Sequence, residues 1–511
     1  MRKQSPMASF ALAALCLPNL ASFAADLAPP RPDQPWIPAT TASGQIVAGA
    51  PANAPTAQEL NFVLPANDEL GLLPEPLTLE AGKAYALADL IEIALSRHPT
   101  TRMAWNESRQ AALAVAAAQS SFYPKINASL IGAGQASFKH SRVEGIGGSS
   151  ETTASGSVAA LSLEWLLFDF GARAAMLRVA EQGAVIANIA FMASHQQLIY
   201  GIVSAYYVHA AAQARVESAT QSLQNAKIIQ QAAEARRHNG IGTVMEVAQA
   251  RQAYAQANLA LVQANGALEN AYLGLLSAMG ISPLSKFKIA SAAGRQLTPT
   301  LLPAVEQTLT AALSRRPDVL SAYAAQAASQ AHIEAVQAEF KPKVFVVTSL
   351  AQSAGASSTT LIPSLGPLAP TLDLNGSRHS GQIFLGVTVP LYDAGARSTA
   401  LAKAKIAAEN TELHLSRTKD EAIRQVVVAR NALQSHLAAY SAAEALVSAT
   451  QTTYEAALAA YQHGVGSISE VTSAQTQLLV AKNTLADSYS ATLTAAATLA
   501  LATGALGKAP E

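Results

Sequence analysis

The sequence predicts a mainly α-helical chain that carries a smaller set of long strands and is built from two copies of one unit. Three observations carry this. Four motif pairs recur in order at two constant offsets. Two proline-free stretches, Ala172 to Arg237 and Ala396 to Gln462, are each long enough for a helix of roughly 100 Å. Segments of alternating polarity precede both stretches.

The chain begins with Arg2 and Lys3, an apolar run from Ala8 to Leu17, and small residues at Ser22 and Ala24. This is the pattern of a secretory signal peptide, residues 1–24, cleaved near Ala25. Cys16, the single cysteine, lies inside it. Lipidation there needs a small residue just before the cysteine, where Leu15 stands. Otherwise the mature chain has no cysteine and is held by packing alone. No later stretch makes a transmembrane helix. The segment Ala491 to Leu506 comes nearest, but it is mostly Ala and Thr. If the mature protein crosses a membrane it must use strands, and those must close into a barrel, because lipid cannot satisfy an open edge.

Residues 25–84 form a Pro-rich arm, with Pro29, Pro30, Pro32, Pro35, Pro38, Pro51, Pro55, Pro65 and Pro74. It reads either as an unstructured leader or as an extended arm on the body. The repeat begins next. Arg97-His98-Pro99 is echoed by Arg315-Arg316-Pro317, and Phe122-Tyr123-Pro124-Lys125 by Phe340-Lys341-Pro342-Lys343, both 218 positions on. Phe168-Asp169-Phe170-Gly171-Ala172-Arg173 is echoed by Tyr392-Asp393-Ala394-Gly395-Ala396-Arg397, and Gly240-Ile241-Gly242-Thr243 by Gly464-Val465-Gly466-Ser467, both 224 positions on. One jump of six residues means a duplicated unit with one loop of unequal length. The repeats are 85–301 and 302–511.

Within them, strands are expected at about 124–137 and 157–171, and at about 342–353 and 381–395. Polar loops separate them, the first containing Lys139-His140-Ser141-Arg142 and Gly145-Ile146-Gly147-Gly148. In the last strand Ile383, Leu385, Val387, Val389 and Leu391 alternate with Gln382, Gly386 and Thr388. Trp165, Phe168, Phe170, Phe384 and Tyr392 stand where an aromatic girdle would sit. Hairpins packed on a soluble core would alternate in the same way.

Long helical hairpins follow at 172–280 and 396–503. Val426, Leu433, Tyr440, Val447, Tyr454 and Tyr461 recur every seventh residue, beside a small-residue row of Ala422, Ala429, Ala443 and Ala457. Leu198, Ala205, Ala212, Ala219, Ala226 and Ala233 repeat the row in the first helix. This spacing gives left-handed seams with close approach, in a wall of side-by-side helices or in a closed bundle.

Each hairpin turns at Gly-x-Gly-[Thr/Ser]-x-x-Glu: Gly240, Gly242, Thr243 and Glu246, then Gly464, Gly466, Ser467 and Glu470. The glycines permit a left-handed helix stop, and Thr243 or Ser467 with the Glu three residues on forms a capping box. Capping explains both glutamates by itself. The strand-to-helix turns Asp169-x-Gly171-x-Arg173 and Asp393-x-Gly395-x-Arg397 put a carboxylate at a helix start. Neither has phosphate-loop glycine spacing.

Zero formal net charge, with 13% charged residues, argues against a nucleic-acid binder. The ten histidines form no His-x-x-x-His pair, and no Gly-x-Ser-x-Gly elbow occurs. Neither enzyme, metal site nor cofactor is expected.

Taken in duplicated order, these motifs resemble the TolC family of outer-membrane factors, including OprM/NodT-type drug efflux channels, over about residues 85–503. The resemblance implies a homotrimer in the outer membrane of a Gram-negative bacterium. Four strands per chain would form a twelve-stranded β-barrel embedded in outer-membrane lipid, and the helices a long periplasmic α-barrel. A periplasmic adaptor and an inner-membrane pump complete such a duct, which exports small toxic compounds or drugs. The tips would dock the adaptor, and Glu470, with Glu246 as its counterpart, would form an acidic gate. Ser473 stands where a second acidic residue often occurs. Two other readings stay open: the same channel serving type I protein secretion, and a soluble periplasmic coiled-coil scaffold, which predicts polar residues on both faces of the strands.

Overall fold

The structure is a computed structural model that describes residues 39–41, 45–47, 63–64, 66–73, 75–77, 80, 82–143, 146–291, 297, 305–363 and 371–507. The signal segment, Cys16 and most of the Pro-rich arm lie outside the described residues. The chain divides into two compact units, Met1–Pro76 and Leu77–Glu511. In the first, β1 (Ala39–Thr40) pairs antiparallel with β2 (Ile46–Val47), and a 3-10 turn over Asp68–Gly71 is capped by Asn67.

The second unit opens with β3 (Ala84–Tyr85), α1 (Leu87–Arg97) and α2 (Pro99–Ser120). Pro99 forces His98 into extended backbone and so ends α1, while its own fixed φ suits the first turn of α2. Two long strands follow, β4 (Lys125–Val143) and β5 (Ile146–Phe168), then α3 (Ala172–His238) and α4 (Val244–Met279). After β6 (Lys288–Ile289), which pairs parallel with β3, come elements of matching length. They are α5 (Val305–Arg315), α6 (Pro317–Ala338), β7 (Lys343–Pro363), β8 (Thr371–Thr388), α7 (Ala396–Gln462) and α8 (Ile468–Ala502).

The helices pack as a layer. Beside the sheet, successive neighbours are α2, α3, α6 and α7; further along the long helices they are α4, α3, α8 and α7. The heptad rows supply the seams: Leu198, Ala212, Ala219, Ala226 and Ala233 are buried on α3, and Ala422, Val426, Ala429, Leu433, Tyr454 and Tyr461 on α7. Towards the hairpin tips, Ile229, Ala233, Val247, Tyr454, Tyr461, Val471 and Leu478 form one apolar cluster from four helices.

The four long strands form one antiparallel sheet in the order β4-β5-β7-β8. They run further than the sequence suggests. Pairing continues from Phe138↔Glu151 to Val143↔Ile146, so most of the expected first polar loop, including Ile146-Gly147-Gly148, is strand. A polar Gly/Ser/Thr tract still pairs its backbone when a partner strand lies beside it. At the other end β8 stops at Thr388, short of Val389 and Leu391, because Pro390 has no N–H to give the ladder.

Register fixes two faces. One carries Ile126, Leu130, Leu161, Leu163, Trp165, Val346, Leu350, Ile383 and Leu385. The other carries Lys125, Asn127, Ser129, Ser162, Glu164, Ser349, Arg378 and Gln382. Phe384 pairs with Val347 and so falls on the second face, away from the expected girdle. A bulge between Leu166 and Phe168 returns Phe168 to the face of Trp165.

Candidate functional site: the hairpin tips and the strand-to-helix turns

Both tips have the geometry their sequence implies. At the first, the Glu246 N–H donates to Thr243 Oγ1 at 3.1 Å and the Thr243 N–H donates to Glu246 Oε2 at 3.1 Å. At the second, the Glu470 N–H donates to Ser467 Oγ at 3.2 Å and the Ser467 N–H to Glu470 Oε2 at 2.9 Å. These are reciprocal capping boxes. Glu470 is exposed and Glu246 half-buried.

The two glycines of each tip serve different ends. Gly240 and Gly464 hold the left-handed backbone, with φ of +74° and +84°. Gly242 and Gly466 answer a close approach: their N–H groups donate to the carbonyls of Arg236 and Ala460, both at 3.0 Å. A Cβ on Gly242 would lie 2.8 Å from the Arg237 backbone nitrogen, and one on Gly466 would lie 3.0 Å from the Ala460 Cβ. Gly242→Val and Gly466→Val are therefore expected to open the tip turn locally, since the atoms crowding each new side chain include main-chain atoms that cannot step aside. Protease cleavage at the tip should rise several-fold while membrane insertion is unchanged; uncut tips in both variants would contradict this.

Arg236 joins the two tips, a link the sequence did not reveal. Its Nη1 donates to the Tyr461 carbonyl at 3.0 Å, and its guanidinium lies 5.0 Å from the Tyr461 ring centre. It thus gives a C-terminal carbonyl of α7, which also accepts from the Gly464 N–H at 3.1 Å, a second donor from the end of α3. Burial pushes the Tyr461 hydroxyl up, the Glu246 carboxylate adds to that rise, and Arg236 opposes it.

The strand-to-helix turns form the other predicted cluster. Asp169, buried, accepts from the Gly171 N–H at 3.3 Å, the Arg173 N–H at 2.9 Å and Arg173 Nε at 3.0 Å. Arg173 also donates to the Ser121 carbonyl at 2.9 Å, which clamps the end of α2 to the start of α3. Asp393 repeats this with the Gly395 N–H at 3.1 Å, the Arg397 N–H at 3.0 Å and Arg397 Nε at 2.6 Å. Gly171 and Gly395 have φ of +94° and +89°, but so do the preceding residues Phe170 and Ala394, at +52° and +53°. A left-handed Phe or Ala is strained, and no sequence signal marks it. These residues are structural caps. Among the described residues no group of His, Cys, Asp and Glu could hold a metal ion, and no helix is long and apolar enough to cross a membrane.

A sheet with one apolar face, joined to long helices that end in capped tips, has close relatives. The family model for outer membrane efflux proteins matches residues 90–281 and 308–505. The chain belongs to the outer membrane efflux protein family. Protein CyaE of Bordetella pertussis is 29% identical over 426 residues, spanning 83% of this chain and 85% of that one. The cation efflux system protein CusC of Escherichia coli K12 is 24% identical over 401 residues, 78% and 82% of the two chains. The open-state crystal structure of the Neisseria gonorrhoeae MtrE outer membrane channel shares the fold, with a TM-score of 0.63 at 22% identity over 82% of this chain and 88% of that one. Members of this outer membrane efflux protein family are non-enzymatic channels of the Gram-negative outer membrane with a periplasmic extension. They are trimeric and work with adaptor and inner-membrane pump partners.

Proposed function

We propose that three copies of this chain close a twelve-stranded barrel in the outer membrane and continue it into the periplasm as an α-helical barrel. The assembly is the passive exit duct of a tripartite system, carrying small toxic compounds or drugs from an inner-membrane pump to the exterior. The observation that carries this reading is the four-stranded sheet, apolar on one face and polar on the other, with β4 and β8 at its two edges. Four strands cannot close, since about eight is the small-barrel minimum, and an open edge is not stable in lipid. A soluble scaffold gives no reason for the apolar face. The matched element lengths support descent of both halves from one duplicated unit, and the leader at 1–24 supports export. Detergent-extracted protein should be trimeric and enriched in outer-membrane fractions; a soluble periplasmic monomer would overturn the reading.

The tips, as the far ends of the long helices, are the proposed adaptor-docking points, and Glu470 the proposed gate residue. Three Glu470 carboxylates near one axis would attract cations. Glu470→Gln keeps the capping-box geometry, because Gln serves at that position, and removes only the charge. Channels of the variant are expected to lose roughly two- to fivefold in cation preference and to bind a multivalent blocker less tightly. Equal selectivity and equal block would leave Glu470 as a cap alone.

A further inference from the structure

The polar face of the sheet has an order along the strands that the channel reading does not use. Starting at the helix end, its cross-strand rows are Lys125–Glu164–Val347–Phe384, then Asn127–Ser162–Ser349–Gln382, then Ser129–Ala160–Ala351–Ser380. The next is Ile131–Val158–Ser353–Arg378, followed by Ala133–Gly156–Gly355–Gly376. From the Asn127 row to the glycine row, Arg378 is the single charged residue on this face. It is exposed, and its guanidinium has no hydrogen-bond or ion-pair partner among the described residues; only its backbone carbonyl accepts, from Ser353 Oγ at 3.4 Å.

Its surroundings accentuate the charge. The row beyond it offers one methyl group and three glycines. Gly156 and Gly355 face each other so closely that a Cβ on either would come within about 3.1 Å of the opposite strand's carbonyl region, at Ala354 O (3.1 Å) and Ser155 O (3.0 Å). The row before it holds only Ser and Ala. An arginine side chain therefore reaches past everything near it on this face. On the apolar face, polar residues return at the same level, with Gln352 opposite His379. Arg378 thus lies where the apolar band ends, level with Ser353 at the middle of β7.

We infer that Arg378 is a selectivity residue of the pore: it forms a ring of fixed positive charge in the lumen midway along the strands, which favours anionic over cationic solutes. The inference rests on the trimeric-barrel reading, which makes the polar face the lumen and supplies three copies of the charge. Low-dielectric walls focus such a field on the path of a permeating ion, and the effect fades with salt.

The test is reversal-potential measurement on trimers reconstituted in planar bilayers under a KCl gradient at low salt, with Glu470 intact. Arg378→Gln is expected to lower the chloride-to-potassium permeability ratio about three- to tenfold, and Arg378→Lys to keep it within about twofold of wild type. In a Cys16→Ser background, Arg378→Cys should react with water-borne methanethiosulfonates. A cationic reagent should restore the ratio, and an anionic one should lower it further. An unchanged ratio in Arg378→Gln, or a cysteine that charged reagents do not reach, overturns the inference while leaving the channel intact. Wild-type protein that gives no conductance at all, and no trimer on sizing, overturns the channel reading itself.

Discussion

Arginine at Leu350 is expected to lower assembly in the outer membrane sharply, whereas arginine at the adjacent Ala351 should leave assembly close to wild type. The two positions are neighbours in sequence and equally inside β7, so their β propensity and distance from the hairpin are matched. They differ in face. Leu350 stands in the row Ala128–Leu161–Leu350–Gly381 on the apolar side, and Ala351 in the row Ser129–Ala160–Ala351–Ser380 on the polar side. A lipid-facing arginine costs roughly 2–4 kcal/mol at mid-bilayer and less towards the interfaces; the Leu350 row is the last of the apolar band before Gln352 and His379, so about 1–3 kcal/mol is expected there. Three subunits each bear that cost, and the sum is comparable with the lower end of an ordinary domain's stability, about 5–15 kcal/mol. The measurement is the yield of trimer in outer-membrane fractions. Loss of trimer in Leu350→Arg with retention in Ala351→Arg is the expected result. Equal yields would mean that the register does not separate lipid from lumen.

That contrast shows what the sequence could and could not yield. The alternation from Ile383 to Val387 is visible in one strand alone, because side chains alternate with period two. Which residue of β7 faces which residue of β8 is a property of pairing, and nothing local encodes it. In sequence Phe384 looks like a member of one girdle with Trp165, although the register puts it on the opposite face. The strand ends are hidden in the sequence for a related reason. The polar run Lys139-His140-Ser141-Arg142 and the Gly, Ser and Thr of 147–156 look like loop residues in isolation, yet they pair continuously. Helices and tips were more legible because their determinants are local. The capping boxes at Thr243 and Ser467 need only a hydroxyl and a glutamate three residues on. Arg236 and Arg316 were not legible. Arg236 meets Tyr461, and Arg316 meets Gln425 and Ala502, from more than a hundred residues away, and an arginine beside a helix end looks in sequence like any solvated charge.

Arg316 carries the second large expectation, on stability and its pH dependence. It is buried, and its guanidinium makes four hydrogen bonds: two to Asp318 at 3.0 and 2.6 Å, one to Gln425 Oε1 at 2.7 Å and one to the Ala502 carbonyl at 2.9 Å. It therefore ties the start of α6 to the middle of α7 and to the last carbonyl of α8, a group that has no partner within its own helix. In the first half the same place is held by His98, whose Nδ1 accepts from the Thr100 N–H at 3.1 Å. Arg316→Ala is expected to cost about 2–3 kcal/mol. That is below the usual cost of breaking a buried pair, because the Asp318 side chain is 44% exposed and partly screened. Arg316→Lys should fall between, since an ammonium cannot reproduce the planar fork. For Asp318, burial pushes the carboxyl up, but the hydrogen bond and charge of Arg316 and the Val319 N–H together pull it further down, so it ends below its ordinary 3.8. A carboxyl depressed in the folded state contributes stability above its unfolded value and loses it as pH falls through the folded one. Thermal unfolding of the detergent-solubilised trimer should then show the widest gap between wild type and Arg316→Ala at pH 7. The gap should narrow once pH drops below about 4, where Asp318 protonates in the unfolded chain. It should not close, because the bonds to Gln425 and Ala502 do not titrate there. A gap that is the same at pH 7 and pH 3 would show that the Arg316–Asp318 pair adds nothing, and that the remaining cost comes from the two neutral acceptors.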